Sequence, residues 1–288
     1  MSARRARLDA EMVRRRLAPS RSAAQQLIAA GGVRVGGIAE PKPATQVSPD
    51  QPIEVTDTGP RFASRGGLKL NGALDDLGVD PAGLLAMDAG AAHGGFTDVL
   101  LRRGAAHVIA VDVAYGQMAW ALRTDPRVSL LERTNVRHLT LEDLGSRRPQ
   151  LLVADLSFIS LCTVLPPITA LLADDAVMLP MVKPQFEVGA GKVGKGGVVR
   201  DPDLWMSAMM MVAGAAAELG FSLHGAAPSR APGPAGNIEF FLHLRRAVPT
   251  TPPSESTAVG PTADADGVIG DAARAGAAMG VRHGRVAT

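Results

Sequence analysis

Cysteine is almost missing from this 288-residue chain: the single thiol, Cys162, lies in the apolar run ISLCTVL and has no partner for an internal disulfide. A disulfide-stapled secreted domain is excluded, and a buried inert thiol is expected ahead of a catalytic nucleophile. No run of 18 or more apolar residues occurs, so no membrane-spanning helix is expected. The opening MSARRARLDAEMVRRR is basic but carries no apolar core, so it does not read as a signal peptide. The six histidines are not grouped with cysteine or acids at ligand spacing, and no metal site is expected. There is no internal repeat. What remains is an ordinary globular composition, 46% apolar and 20% charged, long enough for one large domain and a smaller one. Together these features point to the cytoplasm and away from membranes.

Charge is present but unevenly spread. The net charge is +2, yet residues 1–34 hold eight arginines against Asp9 and Glu11, a local +6 that leaves −4 for the rest. A concentrated basic segment on a near-neutral body suits a polyanion; the competing reading is a solvated helix face. Leu8, Met12, Val13 and Leu17 share one helical face that Pro19-Ser20 ends. Ser20 is placed to cap a second helix, striped by Ala23, Ala24, Leu27 and Ile28 and stopped by Gly31-Gly32. VRV, Gly36-Gly37-Ile38 and QPIEVTD then read as short strands and a turn. This layout resembles the S4 RNA-binding domain, with Gly36 standing where Asp or Asn is common. The resemblance implies an α+β unit over residues 1–58 whose helices present basic residues to structured RNA.

Residues 59–68 read as a linker, and residues 69–246 alternate strand and helix signals. The strand candidates are LLAMDAG, HVIAVDV, RVSLLER, LLVADLSF, AVMLPMV, FSLHGAA and NIEFFLHL; helical stretches include FTDVLLRRG, a segment around 159–173, and 203–219. Strands with helical crossovers predict an α/β fold with a mostly parallel, doubly wound sheet. The last two strands, joined by SRAPGPAGN without a helix, predict an antiparallel hairpin at one edge. Residues 247–288 carry Pro, Thr, Ala and Gly without an apolar stripe and read mostly as a disordered tail, with a short helix near 270–280 as a weaker alternative.

The run MDAGAAHGGF follows a strand and precedes a helix, so Gly90, Ala91, Gly94, Gly95 and Phe96 form a candidate cofactor turn beside Asp88. Its G-x-x-x-G-G spacing is not the dinucleotide G-x-G-x-x-G, which disfavours nicotinamide. Asp112 ends the next strand, where an acid binds a ribose diol or caps a loop. Asn135 follows the third strand, where its amide serves an adenine edge or a turn. Gly189–Lys195 (GAGKVGK) fits G-x-x-x-x-G-K, but Gly196 replaces Ser or Thr and the strand-to-helix setting is absent, so a mobile basic loop is expected there.

Four charged residues remain: Lys69, Asp155, Lys183 and Glu239. The last three end or begin apolar runs, and charges at the ends of parallel strands face a common cleft. A lysine–acid–lysine–acid set beside a nucleotide-type turn suggests deprotonation of an alcohol next to a bound cofactor. Residues 69–246 resemble the FtsJ-like RNA 2′-O-methyltransferases. With the S4-like start and the strings SRGGLKL, ADLSFISL and VKPQFEVG, the chain resembles the TlyA family, sometimes called hemolysin A. The resemblance implies a Rossmann-like class I methyltransferase sheet, S-adenosylmethionine as cofactor, and 2′-O-methylation of cytidine ribose in ribosomal RNA. It also implies a catalytic tetrad of Lys69, Asp155, Lys183 and Glu239, with Asp112 on the cofactor ribose. Candidate RNA contacts are Arg4, Arg5, Arg7, Arg14, Arg15, Arg21, Arg65, Lys192 and Lys195.

The chemistry is coherent with that implication. A ribose 2′-hydroxyl is a poor nucleophile until its proton leaves. A lysine takes that proton only when neutral, which calls for burial or a neighbouring cation to bring its pKa below about 10.4. Lys183 is the expected base, Asp155 its orienter, and Lys69 and Glu239 set the local geometry. Two rival functions stand beside this one: a non-catalytic rRNA-binding assembly factor, and a pore-former, which the lack of a spanning segment disfavours.

Overall fold

The computed structural model describes residues 5–18, 20–29, 31–36, 38–39, 41–55, 62–247 and 264–284. The chain divides into two compact units, Met1–Arg65 and Gly66–Thr288.

In the first unit, β1 (Ala6–Arg7) runs into α1 (Leu8–Arg14), followed by α2 (Arg21–Ala29), β2 (Val33–Val35), β3 (Ile38–Ala39), β4 (Gln46–Val47) and β5 (Ile53–Val55). β2 lies between β3 and β5 in an antiparallel sheet, and β1 pairs with β4. Leu8, Met12, Leu27, Ile28, Val33 and Val35 form a small core of its own. Ser20 caps α2 as its position predicts, its Oγ accepting from Ala23 N–H at 3.1 Å. Gly31 ends that helix at φ +71°, a conformation that costs glycine nothing.

The second unit comprises α3 (Gly66–Leu77), β6 (Leu85–Ala89), α4 (Gly95–Arg102), β7 (His107–Val111), α5 (Trp120–Arg123), β8 (Val128–Leu131), β9 (Leu151–Ala154), α6 (Leu161–Thr169), β10 (Val177–Val182), α7 (Pro184–Glu187), α8 (Pro202–Glu218), β11 (Phe221–Pro228), β12 (Phe240–Arg246) and α9 (Ala265–Gly284). Seven strands form one sheet in the order β11-β12-β10-β9-β6-β7-β8. The five from β10 to β8 are parallel; β12 is antiparallel to both its neighbours. The expected α/β, Rossmann-like architecture and its closing hairpin are both present. Strands such as LLVA in β9 are buried along their whole length, because helices cover both faces of a doubly wound sheet. Pro180, which has no N–H to give, sits where the β10–β12 ladder passes from Met178↔Leu244 to Met181↔Phe241.

The chain leaves β6 for β7 and β8 on one side and returns to β9 and β10 on the other. The strand order therefore reverses between β6 and β9. In such sheets a crevice opens at that point, beyond the carboxyl ends of the strands.

Three expectations need amending. The linker set at 59–68 overlaps α3, which already begins at Gly66; residues 59–61 lie outside the described residues. The helix placed around 159–173 is shorter, Leu161–Thr169. Within the segment read as a tail, α9 is a helix whose Ala265, Ile269, Ala272 and Ala273 are buried in the main core; residues 248–263 and 285–288 lie outside the described residues. Among the described residues no helix is long and apolar enough to cross a membrane.

Candidate active site

The sheet register brings the four charged residues to one place. Val182 of β10 pairs with Phe240 of β12, so Lys183 and Glu239 occupy adjacent positions just beyond that rung. Ala154 of β9 pairs with Ala89 of β6 and Pro180 of β10, which sets Asp155 between the glycine turn and Lys183. Lys69 comes from α3, where it is buried and not on the solvent face.

Side chains resolve the set into two ion pairs. Lys183 Nζ lies 2.6 Å from Asp155 Oδ1 and donates to Ser157 Oγ at 2.9 Å. Lys69 Nζ lies 2.5 Å from Glu239 Oε2. The pairs differ in access: the Asp155 side chain is 23% exposed, whereas that of Glu239 is 1% exposed. The two lysines are equally buried, so the difference between the pairs lies in the carboxylates.

The glycine turn packs tightly against this centre. Gly90 has φ +89°, and a Cβ there would stand 2.4 Å from the Asp155 carbonyl oxygen. Gly94, also at φ +89°, would place a Cβ 2.3 Å from Leu122 Cδ1. Gly90 and Ala91 N–H both donate to Val111 O, at 2.9 and 3.2 Å. Gly94 leaves the start of α4 without a side-chain cap, and within that first turn the Thr97 backbone N–H is drawn to the buried Asp88 carboxyl. The Phe96 side chain is buried, its ring tilted against that of Phe241 at 5.9 Å.

Three carboxylates surround the turn. Asp112 accepts from Ala92 N–H and Ala114 N–H, each at 2.7 Å, tying the turns after β6 and β7 together. Asp88 is fully buried and accepts the Thr97 hydroxyl at 2.6 Å, while its Oδ1 has no partner among the described residues. Burial pushes the Asp88 carboxyl up to about 7, helped by the nearby charges of Asp155 and Asp112 and opposed by Thr97. A phosphate would meet these acceptors with like charge; a cationic ligand bearing hydroxyls meets them with complementary groups. Among the described residues no group of three or more His, Cys, Asp or Glu is placed to hold a metal ion. Asn135 is exposed and caps the short turn Val136–His138, its Oδ1 accepting from Arg137 N–H at 3.0 Å. Burial pushes the Cys162 thiol up, which suits an inert role.

Several neighbouring residues carried no sequence signal beyond their place in ADLSFISL, VKPQFEVG and NIEFFLHL. Ser157 touches Lys183. Phe158 is 91% exposed, holds φ +64°, and stacks on Phe186 at 5.3 Å. Asn237, two residues before Glu239, accepts from Val199 N–H at 2.9 Å and donates to Gly197 O at 2.8 Å. It pins the base of the loop that carries Lys192 and Lys195, both exposed. That loop has a 3-10 turn, Ala190–Lys192, where a phosphate-binding loop would lead from a strand into a helix.

The basic residues of the first unit divide into two kinds. Arg7 and Arg21 bind the buried Asp9, and Arg14 and Arg15 bind the buried Glu11. Arg15 also donates to the carbonyls of Ser48, Pro49 and Gln51. Arg15 and Arg21 join separate segments of the unit, whereas the Arg7 and Arg14 pairs are local. Arg5, Arg16, Arg34 and Arg65 are exposed, and Arg4 lies outside the described residues.

Comparison with known proteins identifies the family. The FtsJ-like methyltransferase family model matches residues 62–246, and the S4 domain model matches residues 6–53. The 16S/23S rRNA (cytidine-2′-O)-methyltransferase TlyA of Mycobacterium tuberculosis is 56% identical over 244 residues, 84% of this chain and 91% of that protein. Hemolysin A of Brachyspira hyodysenteriae is 35% identical over 225 residues, 78% of this chain and 93% of that one. A candidate hemolysin of Streptococcus thermophilus, of solved structure, superposes with a TM-score of 0.70 at 33% identity, covering 95% of this chain and 98% of its own. With its S4 domain followed by a Rossmann-like unit, the chain belongs to the TlyA family of FtsJ-like methyltransferases.

Proposed function

We propose that this protein is an S-adenosylmethionine-dependent 2′-O-methyltransferase of cytidine ribose in 16S rRNA, 23S rRNA or both, acting on ribosomal subunits in the cytoplasm. The observation that carries the reading is the convergence of Asp155, Lys183 and Glu239 on adjoining strand ends at the point where the strand order reverses, beside the glycine turn. The acceptor-rich turn fits a sulfonium nucleoside. The uncapped start of α4 and the backbone of residues 90–95 would lie along it, and Asp112 would accept from ribose hydroxyls. S-adenosylmethionine, when bound there, supplies an electrophilic methyl group.

The chain's own residues prepare the nucleophile. A neutral lysine amine has two N–H bonds and one lone pair. Once the ammonium of the resting ion pair has given one proton to solvent, Asp155 and Ser157 would accept the two N–H bonds that remain on Lys183 and leave its lone pair for the ribose hydroxyl. Lys183 then takes the hydroxyl proton as the oxygen attacks, and returns it to water afterwards. The buried Lys69–Glu239 pair braces the start of β12, one position from Lys183. Alignment of the oxygen with the methyl group supplies much of the rate. Phe158 and Phe186 offer an exposed aromatic face, the kind of surface on which an unstacked RNA base rests. The exposed arginines of the first unit, with Lys192 and Lys195, attract the phosphates.

Labelled methyl transfer from S-adenosylmethionine to purified ribosomal subunits tests this. Wild type incorporates label at cytidine 2′-oxygens, and Lys183→Ala transfers at least 100-fold more slowly, the usual worth of a general base. Equal transfer by both removes Lys183 as the base. No transfer by either, with rRNA binding intact, leaves a non-catalytic assembly factor.

A further inference from the structure

Glu187 is a buried acid that the chemistry above does not use. It ends α7, the single turn that starts one residue after Lys183. Its carboxylate crosses to the other catalytic loop: Oε2 accepts the Ser160 hydroxyl at 2.6 Å, and Oε1 accepts Leu161 N–H at 2.9 Å. Ser160 Oγ in turn accepts from Cys162 N–H at 3.1 Å. Carboxylate and hydroxyl together satisfy the first free N–H groups of α6, an end of the helix that favours negative charge. Burial pushes the Glu187 carboxyl up, and these two hydrogen bonds oppose it.

The segments so joined are those whose side chains build the site. The first runs from Asp155 to Ser160, and Asp155 N–H fixes its near end on Ala89 O at 2.9 Å. The second runs from Lys183 to Glu187. Between the two fixed ends, Lys183 meets Asp155 and Ser157, and Phe158 stacks on Phe186. Phe158 holds a left-handed conformation, which is unfavourable for a non-glycine residue and persists only where its surroundings enforce it. The Glu187 bridge closes that ring of contacts at the end opposite Asp155.

We propose that Glu187 is a positioning residue: it sets the separation of the Asp155–Ser160 and Lys183–Glu187 segments, and so holds Lys183 and Phe158 where methyl transfer needs them. The inference rests on the function proposed above. It is tested in the full chain with Glu187→Ala, Glu187→Gln and Ser160→Ala, and with Ser157→Ala alone and combined with Glu187→Ala. Steady-state methyl transfer to ribosomal subunits, S-adenosylmethionine affinity and thermal melting are measured for each.

Glu187→Ala is expected to lower kcat by about 10- to 100-fold, the scale of a misplaced reacting group, with cofactor affinity within about twofold of wild type. Glu187→Gln keeps an acceptor for Leu161 N–H and offers an amide donor to Ser160 Oγ, so its kcat stays within about threefold. Ser160→Ala removes the 2.6 Å bond and the cap on Cys162 N–H but leaves Glu187 on Leu161 N–H, and lowers kcat several-fold. Because Glu187 acts through the surroundings of Lys183, the double variant loses less than the product of the two single losses. Wild-type kcat in Glu187→Ala overturns the proposal, as do equal losses in the Ala and Gln variants or multiplicative losses in the double. If Glu187→Ala does not fold, an unchanged kcat in Ser160→Ala overturns it instead. A wild-type protein that transfers no methyl group overturns the proposed function itself, a result separate from any of these.

Discussion

Asp88 shows how much a single residue's surroundings alter its chemistry. As read from sequence it is one acid among several at a strand end; in the fold it lies under the glycine turn, fully buried, with Thr97 its hydroxyl donor. Its carboxyl is pushed up to about 7, chiefly by burial, from an ordinary value of 3.8. Between those values the folded chain holds a proton that the unfolded chain has lost. Asp88 therefore stabilises the fold at low pH, and that contribution fades as pH rises from about 4 to about 7. Asp88→Asn keeps a neutral acceptor for Thr97 and removes the titration. Relative to this variant, wild type is expected to lose on the order of a few kcal/mol across that range, at about 1.4 kcal/mol per pH unit. Denaturant titrations followed by tryptophan fluorescence check it, since Trp120 and Trp205 both lie in the second unit. Parallel pH curves for the two proteins would contradict a neutral buried Asp88. Glu11 has the opposite sign: its arginine partners hold it down to about 2, so its contribution is lost only in strong acid.

At the scale of elements, legibility followed apolar mass. LLVA and VMLPMV are long aliphatic runs, and the sheet has only one place for each. α9 was harder to read because its buried face is made of Ala265, Ile269, Ala272, Ala273 and Gly276, small residues with little hydrophobic signal. Smallness is what lets it dock: a Cβ on Gly276 would come 3.0 Å from the Phe240 ring and 3.1 Å from Ile238. Those two residues flank Glu239, so α9 backs the strand start that carries one member of the tetrad. Among the described side chains of α9, Ile269 is the one large buried residue. Ile269→Ala is expected to cost about 2–5 kcal/mol and to lower the melting temperature by roughly 5–15 °C. An unchanged melting temperature would show that α9 does not dock in solution. The loop that holds Phe158 was illegible for a different reason: a left-handed phenylalanine is imposed by neighbours, not by its own preference.

At the scale of the whole molecule, charge is divided by role. Counting arginines along residues 1–34 overstates the charge free to meet RNA, because Asp9 and Glu11 each bind two of them. Arg16 and Arg34 are exposed outside those pairs. Replacing both with alanine is expected to weaken rRNA binding and to flatten its dependence on salt concentration by roughly one to two units of log-log slope, about one per lost phosphate contact. Arg15→Ala, by contrast, is expected to destabilise the first unit, since Arg15 closes it onto three carbonyls and Glu11. A double variant with an unaltered salt slope would move the RNA grip elsewhere.

By itself the amino-acid order determined the α/β class, the glycine turn, the S4-like start and the identity of four charged residues. Each of these is a local pattern, carried by apolar periodicity, by glycine's freedom or by a charge at the end of a run. Tertiary structure alone decided that the four charges form two pairs whose carboxylates differ in exposure, that Phe96 turns inward while Phe158 turns outward, that Glu187 bridges two loops, and that α9 packs against β11 and α8. The reason is that these depend on distances between segments up to 170 positions apart, such as Lys69 and Glu239, and only strand register and packing set such distances.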